Sequence, residues 1–389
     1  FYMRDDKEKA EEHCQEALRI LEAMPESVEL ASLYSDKAWM QWTVGDLDTA
    51  RSSAEKEIKL AEKLNAQVVV ALSYRILAVT VRSRDAKKAI ECGEKALKIA
   101  LDNNFLEVAV GAYNGLALSL PYRKWREPLE KGYELARKMG DIYHQVRVGN
   151  NLAWVMMNEG NFDRALSFAE EHLVLARKAG HLGNIVLVLN RVGYAYLILG
   201  EWEKSERCLE EAWSTAEKSK DFQQMETSMI AFGWACLHRG EYAKAVEWFE
   251  KLSALMERAG EEKDLLILRF ASWMISAYIE LGEIEKAENR IGILRQTALD
   301  AADEEIIVSL NTLNAMVLRA QKRWDESIKL FEKSLQEWEA LDVRKWYVYV
   351  FARFVLFEYA RVYLERDQEG DRGKAHSLLN EALKIFERI

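Results

Sequence analysis

The sequence contains few prolines, few cysteines and no long hydrophobic run. Only three of its 389 residues are proline, so helices can continue along most of the chain without the break that an interior proline causes. The four cysteines lie far apart within helical patterns, at Cys14, Cys92, Cys208 and Cys236. This spacing shows neither a disulfide framework nor the pairs that bind zinc. We therefore expect buried free thiols and a cytoplasmic protein, because thiols persist in reducing compartments.

The balance of charge argues against a surface that binds nucleic acid directly. The chain has 64 acidic and 54 basic residues, which gives a formal net charge of −10. Binding to nucleic-acid phosphates needs a basic footprint, so we expect no direct nucleic-acid partner. No apolar run approaches the ~20 residues that a membrane-spanning helix requires, so we also expect no membrane partner.

Patterns typical of catalysis or metal binding are missing. The histidines occur singly, and no two of them stand four residues apart as in a helical metal site. The segment Gly370–Lys374 is only superficially similar to a phosphate-binding loop. Gln368 stands where the first glycine is required, and Ala375 stands where Ser or Thr is required. We expect no metal, no cofactor and no enzymatic activity.

A small residue recurs about every forty positions, which is typical of a repeat protein. It stands at Ala10, Ala50, Ala89, Pro128, Ala165, Ser205, Ala245, Ala287, Ser327 and Ala375. Each lies in a helical pattern, and a solenoid of helix pairs is the simplest architecture that repeats one close helix–helix contact. We therefore expect residues 1–389 to form a single all-α domain, an α-solenoid of about nine and a half helix pairs.

The clearest unit runs from His144 to Gly180. Its first half places Val148, Leu152 and Val155 at spacings of three and four, as an amphipathic helix requires. Gly160 then supplies the flexible backbone of a turn, and a second helix ends near residue 180. The next two units keep this register, with Gly193, Tyr196, Gly200, Trp202, Ser205 and Ala212 in one and Gly233, Cys236, Gly240, Tyr242, Ala245 and Leu252 in the other.

This order of a small residue, an aromatic or apolar residue, Gly, an aromatic and a second small residue resembles the tetratricopeptide repeat. The resemblance covers essentially the whole chain and implies a right-handed superhelix. The period is longer than the ~34 residues usual for that family. Units of this length resemble the sensor arrays of MalT-like regulators and of signal-transduction ATPases with numerous domains. The aromatics at Trp125, Phe162, Trp202, Tyr242 and Trp324 match the repeat's structural aromatic position, so the resemblance implies that they are core residues.

Some units depart from the repeat. The turn at Arg84 lacks its glycine, and the next unit has Pro121 in its turn and Pro128 in place of the small residue, so we expect the stretch between Arg84 and Pro128 to be the least stable. Residues 366–374 form an insertion that we expect to protrude as a loop. Residues 7–23 look like the second helix of a pair, and the last helix has no polar cap. We therefore expect a fragment of a longer protein whose uncapped ends can self-associate.

The resemblance implies that the first helix of each pair lines a concave groove. Matching the repeat's groove positions gives the candidate ligand-binding residues Asn114, Arg147, Asn150, Asn151, Trp154, Asn190, Arg191, Tyr194, Trp234 and Arg269. Asn114, Asn150 and Asn190 share one register position, and an amide can both donate to and accept from an extended peptide backbone. Alternatively, each asparagine bonds a neighbouring helix or faces solvent.

The aromatic groove residues suit peptides and also sugars, whose C–H faces stack on rings. Trp39 and Trp42, one turn apart, could form a similar patch, although any one of these tryptophans could instead pack between adjacent first helices. The leading interpretation is a non-catalytic module that binds a protein or an extended peptide, within a larger signalling or transcription-regulating protein. The alternatives are a sensor of a small effector such as an oligosaccharide, and an oligomerisation scaffold. Peptide binding predicts a long groove with amides facing solvent, whereas a small effector predicts a closed pocket where Trp154, Tyr194 and Trp234 converge.

Overall fold

The computed structural model describes residues 7–82, 85–219, 221–258, 265–300 and 303–388, with side chains for all of these except residues 7–8, 265–270 and 300. Within these ranges the chain is helical and contains no strand. The helices up to residue 180 are α1 (Lys7–Leu21), α2 (Val28–Thr43), α3 (Leu47–Lys63), α4 (Gln67–Val81), α5 (Ala86–Asp102), α6 (Leu106–Ser119), α7 (Arg126–Met139), α8 (Ile142–Asn158) and α9 (Phe162–Ala179). A short 3₁₀ turn, Tyr122–Lys124, precedes α7.

The helices after residue 180 continue the same alternation. They are α10 (Leu182–Ile198), α11 (Trp202–Ser219), α12 (Phe222–His238), α13 (Tyr242–Arg258), α14 (Leu265–Glu280), α15 (Ile284–Asp300), α16 (Glu304–Ala320), α17 (Trp324–Ala340), α18 (Val343–Trp346), α19 (Val348–Val350), a π-helical turn (Phe351–Leu356), α20 (Phe357–Arg366) and α21 (Asp371–Phe386). Over the described ranges, α1 is a lone second helix and nine packed pairs follow it, which confirms the predicted α-solenoid. The even-numbered helices α2 to α16 are the first helices of their pairs.

Local sequence explains where the helices begin and end. Asp141 precedes α8, and its Oδ1 accepts the backbone N–H of His144 at 3.0 Å, which satisfies a donor that the helix itself leaves unpaired. The turn between α8 and α9 passes through Gly160 at φ 87°, a conformation that glycine adopts at no steric cost. Asn104 takes a similar φ of 58° between α5 and α6, and asparagine is one of the residues that tolerate it.

The recurring small residues lie where the two helices of a pair meet. A Cβ on Gly233 would lie 2.5 Å from Phe249 Cε1, and one on Gly193 would lie 2.8 Å from Leu209 Cδ2. No side chain fits at such distances, so these positions require glycine. The matching small residues on second helices are fully buried, as at Ala50, Ala89, Ala165, Ala245 and Ala375.

The superhelix curves until distant units touch. The Glu305 carboxylate, at the start of α16, accepts the backbone N–H of Tyr122 at 2.9 Å and that of Arg123 at 3.3 Å. We call this pair of hydrogen bonds the closure contact. The Tyr122 ring also lies 5.8 Å from the rings of Trp346 and Tyr347. The turn after Pro121 therefore has partners from the far end of the chain, although we expected this stretch to be the least stable. The other turn of that expectation, at Arg84, lies outside the described residues.

The predicted insertion at residues 366–374 does not protrude as a long loop. Helix α20 continues to Arg366 and α21 begins at Asp371, so only four residues connect them. The Arg366 guanidinium bonds the Asp371 carboxylate, with Nη2 2.7 Å from Oδ1, and holds the pKa of Asp371 at about 2. This ion pair holds the end of α20 and the start of α21 together, where the glycines of this stretch had indicated a protruding loop.

The described residues also bear on two expectations from composition, one about membrane-spanning helices and one about free cysteines. No helix among them combines the length and the apolar character needed to cross a bilayer. The four cysteines are free, three are buried and Cys208 is half-buried. Burial raises the pKa of Cys236 to about 11, which keeps this thiol protonated and unreactive.

Candidate ligand pocket in the superhelix groove

A cavity with a volume of about 530 Å³ lies in the N-terminal half of the groove. Its wall consists mainly of side chains from α2, α4, α6, α8, α10 and α12, as expected for first helices. Nine of the ten predicted groove residues line it: Asn114, Arg147, Asn150, Asn151, Trp154, Asn190, Arg191, Tyr194 and Trp234. The tenth, Arg269, lies on α14, and its side chain is outside the described residues. We refer to this cavity as the pocket.

The wall of the pocket curves back towards its own beginning. Phe222, the first residue of α12, contacts the turn after α2, since a Cβ on Gly45 would lie 2.8 Å from Phe222 Cδ2. Trp39 and Trp42 line the same end, with their rings 4.8 Å apart. The sixth first helix thus meets the unit that contains the first one, and this contact limits the pocket at one end.

Further along the groove, part of the space is occupied by the chain itself. We name α18 and α19 the closing segment, because they enter this part of the groove. Tyr349 of the closing segment packs against Phe162 at 5.9 Å between ring centroids, and its hydroxyl lies 3.2 Å from His238 Nδ1. A cavity of about 30 Å³ remains there, between Trp273, Phe354 and their neighbours. This volume suits about one water molecule, so of these two cavities the pocket is the one with room for a ligand.

Three aromatic side chains converge on one side of the pocket. The indoles of Trp154 and Trp234 are stacked, with centroids 5.1 Å apart and planes 13° apart. Tyr194 lies 5.3 Å from Trp154 and 4.7 Å from Trp234. We call these residues the ring wall. They pack between first helices, as the structural alternative predicted, and they also line the pocket.

The asparagine row is partly engaged within the protein. Asn114 Oδ1 accepts a hydrogen bond from Asn151 Nδ2 at 2.8 Å, and Asn190 Nδ2 donates to Ser228 Oγ at 3.0 Å. Bonding to a neighbouring helix, the structural alternative, therefore accounts for part of the row. Asn150 Oδ1 and Asn190 Oδ1 are buried and accept no hydrogen bond from the described residues. Two amide oxygens at the pocket thus lack the partner that buried polar atoms normally have.

Arginines supply the positive charge of the pocket. The Arg191 guanidinium lies 4.4 Å from the Trp154 ring centroid, a cation–π contact, and burial lowers the pKa of Arg191 to about 10. Arg75 lies 5.1 Å from the Trp39 ring centroid. Arg147 donates to Gln223 Oε1 at 3.0 Å. Cationic side chains therefore stand beside aromatic faces along the pocket.

Several residues that line the pocket could not be predicted from the repeat register. Tyr143, His144, Phe222 and Gln223 lie in the first turns of α8 and α12, before the groove positions that the repeat register marks. His144 Nδ1 lies 2.6 Å from Asp141 Oδ2, yet burial lowers the pKa of His144. These residues reach the pocket because the superhelix curves tightly, and no spacing in the sequence records that curvature.

His238 is buried beside the groove. It packs against the rings of Tyr194, Trp273 and Tyr349, and burial lowers its pKa to about 3. Trp202 was expected in the core but is 50% exposed, whereas Phe162 at the equivalent position is 1% exposed. Phe162 contacts Tyr349 of the closing segment, and Tyr349 lies outside the repeat that contains Phe162.

Comparison with known proteins agrees with the architecture. The tetratricopeptide-repeat family matches residues 184–258 and residues 309–341. A Rap protein complexed with Competence and Sporulation Factor is 11% identical, with a TM-score of 0.54 over 93% of this chain and 99% of that one. Human IFIT1, in a dimer with m7Gppp-AAAA, is 17% identical, with a TM-score of 0.51 over 100% of this chain and 86% of that one.

Aspartyl phosphate phosphatase F from Bacillus subtilis is 13% identical, with a TM-score of 0.50 over 92% of this chain and 94% of that one. No curated protein matches the sequence significantly. Identities this low show a shared fold and nothing about ligands. The two family matches, the small residues at each helix–helix contact and the stacked pairs together identify the chain as a tetratricopeptide-repeat solenoid.

Proposed function

We propose that the chain is a non-catalytic binding module of a signalling protein, and that its pocket encloses a small effector, with a short peptide as the leading candidate. The observation that carries this proposal is one pocket lined by arginines, the ring wall and two asparagines whose Oδ1 atoms accept no hydrogen bond from the described residues. Such a combination of aromatic surface and a few convergent polar groups is typical of ligand sites.

The size of the pocket favours a short segment over a long extended one. A volume of about 530 Å³ falls within the roughly 300–1,000 Å³ of small-ligand sites. Tyr349 of the closing segment occupies part of the groove beyond it, and the cavity beside Trp273 and Phe354 has a volume of only about 30 Å³. These observations favour a short ligand over a protein-length peptide.

The polar groups suit a peptide backbone. Asn150 Oδ1 and Asn190 Oδ1 can accept backbone N–H groups, and the ring wall offers apolar surface for one side chain. Two proteins of similar fold have been solved with ligands: the Rap protein is in complex with Competence and Sporulation Factor, and human IFIT1 is with m7Gppp-AAAA.

The route by which a bound effector would alter the protein runs through Tyr122. Its hydroxyl donates to the backbone oxygen of Trp154 at 3.3 Å, and its backbone N–H donates to Glu305 in the closure contact. A ligand that shifts the ring wall would therefore also shift the closure contact. This shared residue supports a sensor in which occupancy changes the curvature of the superhelix.

The second candidate effector is an oligosaccharide, as in MalT-like sensors. The converging ring wall favours it, because sugar C–H faces stack on aromatic rings. The unpaired Asn150 and Asn190 oxygens would then accept sugar hydroxyls. Peptides and oligosaccharides are therefore the two libraries to screen.

A thermal-shift screen against both libraries tests the proposal. The wild type is compared with the Asn150→Ala, Asn190→Ala double variant and with Asn161→Ala, whose side chain is exposed and makes no capping hydrogen bond. We expect a hit that raises the Tm of the wild type and of the control but not that of the double variant. Hits that stabilise all three proteins equally would remove the asparagines from the site, and a crystal structure with the hit outside the pocket would overturn the proposal.

A further inference from the structure

Elsewhere in the chain a buried arginine is surrounded by carboxylates. Arg319 is 5% exposed, and its Nη2 lies 3.1 Å from Glu280 and 3.6 Å from Glu358, while its Nη1 bonds Glu365. This is expected, because an uncompensated charge inside a protein is strongly destabilising. The arginines of the pocket do not follow this pattern.

Arg75, Arg147 and Arg191 form no ion pair with any described carboxylate. A guanidinium carries about five N–H donors, yet the described residues provide these three side chains with one acceptor, Gln223 Oε1. The Nε atoms of Arg75 and Arg191 are buried without a hydrogen-bond partner among the described residues. The Nε of Arg319 is buried without a partner as well, so the lack of ion pairs is what distinguishes the three arginines that line the pocket.

The backbone around Arg75 makes room for its guanidinium. A Cβ on Gly111 of α6 would lie 2.1 Å from Arg75 Nη1, so the guanidinium occupies the space that a side chain would take. Arg75 on α4 and Arg147 on α8 both line the pocket, as does His144. Arg147 also acts to lower the pKa of Arg75, and both arginines act to lower the pKa of His144.

Acidic residues at the pocket offset this charge in part. Glu107, which lines the pocket, acts to raise the pKa of Arg75, although burial outweighs it. Asp141 is engaged by His144 at 2.6 Å. Asp36 also lines the pocket and makes no ion pair among the described residues. Glu226 lines the pocket as well and is already engaged by a partner. Among the described residues no carboxylate forms an ion pair with Arg75 or Arg147, so these two guanidinium groups are left for a ligand.

We propose that the effector carries an anionic group, a carboxylate or a phosphate, that lies between Arg75 and Arg147, with the rest of the ligand against the ring wall. Planar guanidinium groups bind the oxygens of both anions in bidentate fashion. This inference rests on the proposed function, since it names the chemistry of the ligand that the pocket holds. It favours an acidic peptide or a phosphorylated ligand over a neutral oligosaccharide.

Calorimetric titration with matched probes tests the assignment at ~0.15 M salt, where screening limits non-specific attraction. One pair is N-acetyltryptophan and its neutral amide, and the other is adenosine monophosphate and adenosine. Each pair keeps the ring and changes the charge. We expect a charged member to bind at least about tenfold more tightly than its neutral partner, and the pair with the larger ratio distinguishes carboxylate from phosphate.

Variants locate the effect in the pocket. Arg75→Gln and Arg147→Gln should each reduce the charged-to-neutral ratio about tenfold, and Gly111→Ala should reduce it without changing the net charge, because it displaces Arg75. Arg177→Gln is the matched control, since Arg177 is exposed and pairs with Glu211 at the surface. It should leave the ratio unchanged, and circular dichroism establishes that every variant is folded.

Three outcomes overturn the assignment: equal affinity within each pair, no binding of either charged probe at millimolar concentration, or an equal loss in Arg177→Gln and Arg75→Gln. Equal affinity of charged and neutral probes that still depends on Trp154 would leave the proposed binding function in place. If the proposed binding function of the pocket is wrong, Trp154→Ala should leave ligand binding unchanged.

Discussion

Removing the Glu305 carboxylate is the perturbation that most directly tests closure of the superhelix. Glu305 is 5% exposed, and its two oxygens accept the backbone N–H groups of Tyr122 and Arg123, more than 180 residues earlier in the chain. Glu304, beside it, is 66% exposed and contacts Arg123 only through its side chain at 3.3 Å. The two adjacent glutamates therefore form a matched pair for comparison.

The expected magnitude follows from these contacts. Hydrogen bonds to a charged group contribute about 1.5–3 kcal/mol each, and an abandoned buried donor costs about 1–3 kcal/mol. Desolvation of the carboxylate opposes the gain from Glu305, so we expect Glu305→Ala to lower the free energy of unfolding by about 3 kcal/mol. Glu304→Ala removes an exposed ion pair and should cost less than about 1 kcal/mol.

Urea denaturation gives the two free energies, and hydrogen exchange reports the amides of Tyr122 and Arg123 directly. In Glu305→Ala both amides should exchange faster, whereas in Glu304→Ala they should stay protected. Equal stabilities of the two variants, with both amides still protected in Glu305→Ala, would refute the closure contact.

Two further predictions concern packing and pH. Gly233→Ala should lower the unfolding free energy by about 2 kcal/mol, because its Cβ would lie 2.5 Å from Phe249 Cε1. Gly292→Ala should raise the unfolding free energy by about 0.7 kcal/mol, because no atom lies within 4 Å of the added Cβ. Urea midpoints that shift equally in the two variants would contradict this prediction. Burial raises the pKa of Glu57 to about 8, so the folded chain keeps a proton that the unfolded chain releases, and stability falls as pH rises from 4.5 to 8. Glu57→Gln should therefore raise the Tm more at pH 8 than at pH 5, and an equal gain at both would contradict the burial of this carboxyl.

The repeat register could be predicted from sequence because it depends on contacts within one unit. Gly193 and Gly233 are small because the second helix of the same pair leaves no room. The same register placed Asn150, Trp154 and Arg191 on first helices that line the pocket. Local pattern and local packing agree at these positions, and this agreement makes them predictable.

Closure of the superhelix could not be predicted from the repeat register. Curvature accumulates from a small rotation per repeat, so no local spacing indicates that Tyr122 reaches Glu305 or that Gly45 meets Phe222. The error at Trp202 has the same origin, since its equivalent Phe162 is in contact with the distant Tyr349. Self-association through the ends of the chain stays a prediction.

The central claim is that the effector lies against the ring wall in the N-terminal half of the groove. Fluorine NMR of the protein labelled with 5-fluorotryptophan tests this claim most directly, with each resonance assigned by a Trp→Phe variant. On addition of a screening hit, the resonances of Trp154, Trp234 and Trp39 should shift together and saturate, while those of Trp202 and Trp324, which do not line the pocket, should stay in place. Shifts confined to Trp202 and Trp324 would contradict the account.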